Sequence, residues 1–298
     1  MKKVLLAVAL VAGVGAVHAE DTLKKIKDSG AITMGVRESS GLSYTIGDGK
    51  YVGYHIDVCE RVVADLRKQL GTKIEVKYQP VTSANRIPLT VNGTVDLECG
   101  STTNNAARQK DVAFAVTTYV EEVRIAVKAN SGITNIGQLN GKTVATTTGT
   151  TSVQTLRKHE RATGVDFKEV FGKDHADSFL LLESGRADAF VMDGQIVAGL
   201  ASKSKNPADY HIVGEVLSVE PIAIMVRKDD PAFLAAVNKT IDGLAKSGEM
   251  AKLYDKWFMQ AIPPTNTKVG LPASEATKNA WKNPNSMGTE ALAASVKK

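Results

Sequence analysis

The sequence, 298 residues long, has few of the patterns that mark metal, nucleotide or nucleophile chemistry. Its two cysteines, Cys59 and Cys99, lie too far apart for a CxxC site, and its five histidines show no HExxH spacing. No GxGxxG follows a predicted strand, and no serine lies in a GxSxG turn. Gly141-Lys142 resembles the end of a phosphate loop, but Ile136 stands where that loop needs its first glycine. These absences argue against an enzyme, a metal site and a bound cofactor.

The sequence has only one long apolar run, from Val4 to Val17. Two lysines precede it and a small-residue cleavage pattern ending at Ala19 follows it, which predicts an export signal over residues 1–19. The run is too short to span a bilayer comfortably. We therefore expect a soluble periplasmic protein that begins near Glu20.

The charge balance excludes a strong electrostatic attraction to nucleic acid. The formal charge of +5 falls to +3 once Lys2 and Lys3 are removed with the signal, which is only mildly basic. The even cysteine count permits a disulfide in an exported protein, but two buried thiols fit the sequence equally well.

Predicted strands and helices alternate in two similar blocks. The first block contains these predicted elements: strand Ala31 to Val36, helix Gly53 to Leu70, strand Lys73 to Tyr78, helix Arg86 to Val91 and strand Val95 to Cys99. The second repeats the layout with strand Thr143 to Thr146, helix Ser152 to Arg161, strand Phe167 to Val170, helix Asp177 to Leu182 and strand Ala189 to Met192. Such alternation favours mainly parallel sheets flanked by helices.

Two long extended segments, Thr118 to Lys128 and Val213 to Arg227, flank the second block and suggest that the chain crosses between two lobes twice, forming a hinge. This predicts an α/β protein with lobe 1 over residues 20–119 plus 220–262 and lobe 2 over residues 120–219. The remaining tail, residues 263–298, is rich in Pro, Asn, Thr and Lys and is expected to be a surface wrap or partly disordered.

Polar side chains collect where the predicted strands end, which is where parallel α/β sheets bind ligands. Arginines, hydroxyls and few carboxylates make up this set: Arg37, Ser101, Thr103, Arg108, Thr148, Thr150, Thr151 and Asp193. The segment from Thr148 to Thr151 also opens a helix, whose free N–H groups favour an anion. This set of side chains suits an amino acid that carries an extra carboxylate. Asp193 provides an anion for the ammonium group, and the arginines and hydroxyls provide hydrogen-bond donors for the two carboxylates.

A resemblance to a known family is carried by residues 36–40, 53–59, 82–89, 98–105, 178–179, 183–187 and 255–258. These stretches resemble the extracytoplasmic solute-binding proteins of polar amino-acid ABC importers, known as solute-binding protein family 3. The resemblance implies a two-lobed periplasmic-binding-protein fold of type II that closes on its ligand and delivers it to a permease. A monomer without a cofactor is expected.

Within that family, the sequence most resembles the branch that binds L-glutamate or L-aspartate. It implies that Arg108 clamps the α-carboxylate, helped by Ser101, Thr103 and the backbone at Thr150 and Thr151. Asp193 would take the α-ammonium. The side-chain carboxylate would be held by a group made up of Arg37, Ser83, Arg86 and His175.

Three alternatives remain open at this point. The same fold could bind another polar amino acid such as glutamine, could catalyse a dehydratase reaction, or could serve as a sensor domain. Arg37 and Arg86 argue against a ligand with a cationic side chain, because like charges would meet. No signalling module follows the second lobe, which argues against a sensor domain. The sequence does not separate glutamate from aspartate.

Overall fold

The computed structural model describes residues 21–296, so the predicted export signal lies outside the described residues. Among those residues, no helix is long and apolar enough to cross a membrane. The helices are α1 (Thr22–Ser29), α2 (Tyr54–Leu70), α3 (Arg86–Val91), α4 (Thr151–Thr163), α5 (His175–Glu183), α6 (Gly194–Lys203), α7 (Pro231–Lys246), α8 (Glu249–Tyr254), α9 (Glu275–Lys282) and α10 (Thr289–Val296). The strands are β1 (Ala31–Val36), β2 (Ser39–Ser40), β3 (Ser43–Gly47), β4 (Lys50–Val52), β5 (Glu75–Pro80), β6 (Leu97–Glu98), β7 (Val112–Phe114), β8 (Tyr119–Lys128), β9 (Thr143–Thr147), β10 (Lys168–Gly172), β11 (Ala189–Asp193), β12 (Tyr210–Ile222), β13 (Met225–Arg227), β14 (Ala261–Ile262) and β15 (Thr267–Lys268).

Two five-stranded sheets share one layout. The first has the order β5-β1-β6-β13-β7 and the second β10-β9-β11-β8-β12. In each, the first three strands are parallel, the fourth is antiparallel to the third, and the fifth is antiparallel to the fourth. Four strands of each sheet therefore run in one direction, and the prediction of a mainly parallel α/β fold is confirmed.

The chain passes between the two sheets twice, from β7 into β8 and from β12 into β13. The crossing parts of β8 and β12 pair with each other, with Tyr119 opposite Ile222 and Glu121 opposite Glu220. This places the two crossings side by side, as a hinge requires. The division into lobe 1 (20–119 plus 220–262) and lobe 2 (120–219) stays a prediction, and we use these names for the regions built on the first and second sheets.

Helix α2 anchors the core of lobe 1. Its apolar residues recur at helical spacing, and Ile56, Val63 and Leu66 are buried in the largest apolar cluster. Gly71 ends the helix in the left-handed conformation that glycine favours, with φ 63°. Cys59 of α2 forms a disulfide with Cys99, which settles the alternative that the sequence left open.

The predicted element bounds differ from the observed ones at two strands of the first sheet. The strand predicted at Lys73 begins two residues later, at Glu75, and continues to Pro80. The strand predicted from Val95 to Cys99 pairs only over Leu97–Glu98, because the chain turns into Gly100 and the segment of hydroxyl residues that follows.

The segment after Pro263 wraps over the crossing strands. Thr277 in α9 donates a hydrogen bond to the carbonyl of Val120 (3.0 Å) and accepts one from its N–H (3.1 Å). Trp281 donates from Nε1 to the carbonyl of Thr118 (2.7 Å). Further along, the carbonyl of Ser286 accepts from the Asn104 amide (2.9 Å), so the wrap also supports the loop that leads to Arg108.

Candidate functional site

A small cavity lies between the two sheets and is lined from both sides. Its lining residues are Ser83, Arg86, Ser101 and Thr103 from lobe 1 and Thr150, Thr151, His175, Met192 and Asp193 from lobe 2. Eight of the eleven residues predicted from the sequence are therefore brought together. Arg37, Arg108 and Thr148 are not among the lining residues, and Met192 was missed.

The strand geometry explains this convergence. Ser101 and Thr103 follow β6, Thr150 and Thr151 follow β9, and Asp193 ends β11, so all lie at carboxyl ends of strands. Arg86 and His175 are the first residues of α3 and α5, which follow β5 and β10, while Ser83 lies in the turn before α3 and Met192 precedes Asp193 in β11. Because the two sheets share one layout, their ligand-binding edges meet across one cleft.

Arg37, at the end of β1, is fully buried directly behind the lining residues. Its Nη2 donates to Ser83 Oγ (2.9 Å) and to His175 Nε2 (2.8 Å), and it lies 3.4 Å from Asp174 Oδ1. Its Nε and Nη1 have no hydrogen-bond partner among the described residues. Two buried donors thus remain unsatisfied, which is costly in a folded protein.

The contact with Arg37 determines the state of His175. A guanidinium can only donate, so Nε2 accepts and the proton resides on Nδ1, which donates to Thr147 Oγ1 (3.0 Å). Burial, with the positive charges of Arg37 and Arg86, holds the pKa of His175 well below its ordinary value. The imidazole is neutral with both nitrogens occupied, so it orients Arg37 and has no free N–H for a ligand.

Arg86 has the least compensated charge in the site. It is 2% exposed, and its Nε has no partner among residues 21–296. Burial, and then repulsion from Arg108 and Arg37, lowers its pKa well below the ordinary value, against the opposing effect of Glu98 and Asp193. Three guanidinium groups that repel one another around a cavity favour the entry of an anion.

Arg108 lies at the rim of this cavity, half-buried, in the turn that follows the hydroxyl segment. Its Nη1 donates to the carbonyl of Thr103 (2.9 Å) and its Nη2 approaches the carbonyl of Gly149 at 3.5 Å. It therefore joins the loop of lobe 1 to the loop of lobe 2. Burial lowers the pKa of Arg108, and the nearby Glu220 and Asp193 oppose that shift.

Asp193 is the carboxylate of lobe 2 that lines the cavity. Burial, and then the charge of Glu220, raises its pKa to about 7, although Arg86 and Arg108 act in the opposite direction. Its side chain makes no capping hydrogen bond to α6. A carboxyl group with this pKa ionises readily when a cation enters the cavity.

Thr148 and Thr150 take different roles in the turn before α4. Thr148 is exposed and is not among the residues that line the cavity, and its contact with a ligand stays a prediction. The chain turns at Gly149 (φ 81°), where a Cβ would lie 2.9 Å from the backbone of Ala84 in lobe 1. Thr150 donates to the carbonyl of Thr147 (2.8 Å) and leaves the first N–H groups of α4 without a side-chain cap.

Glu220 is a buried residue of this region that the sequence did not reveal. Its Oε2 accepts hydrogen bonds from Thr103 Oγ1 and Thr151 Oγ1, both at 2.7 Å, and its Oε1 accepts from Ser218 Oγ (2.7 Å). No motif surrounds Glu220 in the sequence, so no local pattern predicts that it contacts the cavity. Across residues 21–296, no group of His, Cys, Asp and Glu is arranged to hold a metal ion.

Two similar α/β sheets that enclose a small polar cavity define a solute-binding protein. Residues 32–260 match the bacterial extracellular solute-binding proteins, family 3, and the chain belongs to that family.

Two relatives and one solved structure are similar to the chain over most of its length. The glutamate/aspartate import solute-binding protein of Escherichia coli (strain K12) is 43% identical over 94% of this chain and 95% of its own length. The L-glutamate/L-aspartate-binding protein of Pseudomonas aeruginosa is 42% identical over 97% of this chain and 96% of its own length. A crystal structure of a mutant of ArgBP from T. maritima has TM-score 0.70 and 28% identity, covering 80% of this chain and 99% of that one. The two curated relatives are named as binding proteins and not as enzymes, and the predicted family, the type II two-lobed fold and the binding role are confirmed.

Proposed function

We propose that the protein binds L-glutamate or L-aspartate in the cavity between its lobes. The two curated relatives named above, each covered over at least 95% of its length, support this ligand class. The observation that carries the proposal is electrostatic. Arg37 and Arg86 have buried donors without partners among the described residues, and these two guanidiniums and that of Arg108 repel one another around the cavity. The cavity lining contributes one carboxylate, Asp193.

The α-amino-acid end of the ligand would lie between Arg108 and Asp193. Arg108 would donate to the α-carboxylate, helped by the hydroxyls of Ser101 and Thr103. The uncapped N–H groups at the start of α4, near Thr150, would donate to the same carboxylate. Asp193 would accept from the α-ammonium, which would restore the ionised form of its carboxyl group.

The second carboxylate of the ligand would meet the other two arginines. Arg86 lines the cavity and has a donor to offer, and Ser83 lies beside it. Arg37 would act from behind Ser83, with its guanidinium plane fixed by His175. In this arrangement His175 acts through Arg37 and not by direct contact with the ligand.

Closure of the two lobes would complete the site. Ser39 in lobe 1 donates to Asp174 in lobe 2 (2.5 Å) and accepts from the N–H of Ala176 (3.0 Å), so the lobes already touch on one side of the cleft. Closing excludes water, and each charge pair strengthens as the local dielectric constant falls. Closed without an anion, the arginines would remain uncompensated, so the loaded form would be favoured.

The cellular role follows from the same assignment. The chain would be exported with the help of residues 1–19, would act in the periplasm as a monomer, and would pass its ligand to the permease of an ABC importer. The description of the family as extracellular solute-binding proteins and the name of the Escherichia coli relative, an import solute-binding protein, support this role.

A thermal-shift screen of the twenty common amino acids tests the proposal. We expect the melting temperature to rise with L-glutamate and L-aspartate, because a ligand that binds only the folded state stabilises it. Glutamine, asparagine and the basic amino acids should produce much smaller shifts. A larger shift with glutamine or arginine than with either acid would contradict the proposal.

A further inference from the structure

The carboxylate of Glu220 lies where the two lobes meet, and it contacts both. Thr103 belongs to lobe 1 and Thr151 is the first residue of α4 in lobe 2, yet both donate to the same oxygen, Oε2, at 2.7 Å. The two threonine hydroxyls are themselves 3.4 Å apart, and both line the cavity. Glu220 is 3% exposed, so these bonds are shielded from water.

The two threonines that contact Glu220 differ in how many bonds connect them to β12, the strand that contains Glu220. The N–H of Asn104 donates to the carbonyl of Pro221 (2.8 Å), and Thr103 forms a bridge with Ile222. Thr103 is therefore held beside Glu220 by backbone bonds, whatever the position of lobe 2. Among the described residues, the hydroxyl of Thr151 bonds to Glu220 and approaches Thr103 more weakly across the cleft, so opening the cleft would break these contacts.

We propose that Glu220 is a positioning residue for closure, which holds Thr151 and the N-terminus of α4 against lobe 1 when the cleft is shut. This inference rests on the proposed function, because the uncapped start of α4 is one of the groups assigned to the α-carboxylate. The bond from the Thr151 hydroxyl to a carboxylate is charge-assisted and buried, so it contributes more than a bond between neutral groups. Loss of this bond should weaken ligand binding by about 10- to 100-fold.

A second buried carboxylate provides a matched control. Glu98 Oε2 accepts a hydrogen bond from Thr102 Oγ1 at 2.7 Å, but both residues belong to lobe 1. Thr102 is fully buried and is not among the residues that line the cavity. Thr102→Val therefore removes a bond of the same kind and length that does not cross the cleft.

The test is a calorimetric double-mutant cycle on the full exported chain with L-glutamate. Thr151→Val and Glu220→Ala should each weaken binding by about 10- to 100-fold, and the double variant should be no weaker than Glu220→Ala alone. Thr102→Val should bind within about threefold of the wild type. Glu220→Gln should retain more affinity than Glu220→Ala, since its amide oxygen can still accept from both threonines.

Losses for Thr151→Val and Glu220→Ala that add up in the double variant would overturn the bridging role, as would equal losses for Thr151→Val and Thr102→Val. Small-angle scattering with saturating glutamate gives a second readout. We expect Glu220→Ala to stay more open than the wild type, and an identical closed profile would overturn the proposal. Absence of glutamate binding by the wild type would instead refute the proposed function and this inference with it.

Discussion

Replacement of Arg86 by methionine separates the specificity of the site from its stability. Methionine keeps most of the apolar length of the side chain and removes the charge and the donors. Because the pKa of Arg86 is lowered by burial and by Arg108 and Arg37, its charge costs free energy in the ligand-free protein. Arg86→Met should therefore leave the melting temperature of the ligand-free protein unchanged or higher.

The effect on binding should have the opposite sign and should depend on the ligand. For glutamate, the variant leaves a buried carboxylate without its main partner, which costs roughly 3–5 kcal/mol. This corresponds to a loss of about 10²- to 10⁴-fold in affinity. Glutamine presents a neutral amide at the same place, so its already weak binding should change by about 1 kcal/mol or less.

Isothermal titration calorimetry of both ligands against the wild type and the variant at pH 7.5 measures this difference directly. Ser83→Ala is a useful comparison, since it removes a neighbouring hydroxyl without changing the charge of the site. Equal losses for glutamate and glutamine would show that Arg86 does not hold the side-chain carboxylate. A lower melting temperature in the ligand-free variant would refute the argument about uncompensated charge.

Three further predictions follow from the geometry. Arg108→Ala should lose about 3–6 kcal/mol of binding free energy, the equivalent of two charge-assisted hydrogen bonds, and calorimetry showing an unchanged dissociation constant would exclude it from the site. Burial, and then the charge of Glu220, raises the pKa of Asp193 to about 7, while Arg86, Arg108 and Arg37 oppose the shift. The buried carboxyl group of Glu121 also interacts with Asp193. The ligand ammonium should lower that pKa, so binding should release a proton, be strongest above pH 7 and weaken by up to tenfold per unit below it. Equal affinity at pH 5.5 and pH 8 would contradict this coupling, and Asp193→Asn should bind weakly at both. Removal of the disulfide by Cys59→Ala with Cys99→Ala should reduce the free energy of unfolding by about 2–4 kcal/mol, measured by denaturant titration, and an unchanged midpoint would show that the crosslink adds nothing.

Sequence patterns predict the repeated sheets well, for a physical reason. Buried strands such as β1 and amphipathic helices such as α2 carry their periodicity in the sequence itself, and the carboxyl ends of parallel strands meet at one edge. This is why the sequence alone is enough to group Ser101, Thr151 and Asp193. The short strands β2 and β3 escaped prediction because two to five residues are too few to show a period.

The parts of the site that the sequence did not predict depend on contacts between distant segments. Thr148 looks like its neighbours in the sequence, but the turn at Gly149 leaves it exposed to solvent. The contact of His175 with the ligand stays a prediction, but its bond to Arg37, 138 positions away, could not be read from the sequence. Glu220 gains its importance only from the approach of Thr103 and Thr151, which no local pattern encodes.

The most direct test of the account is a crystal structure of the protein grown with L-glutamate. We expect one glutamate in the cavity between the sheets, with its α-carboxylate against Arg108, its ammonium within about 3 Å of Asp193, and its side-chain carboxylate against Arg86. Glutamate bound with its two carboxylates exchanged, or bound at any other place on the protein, would contradict the account.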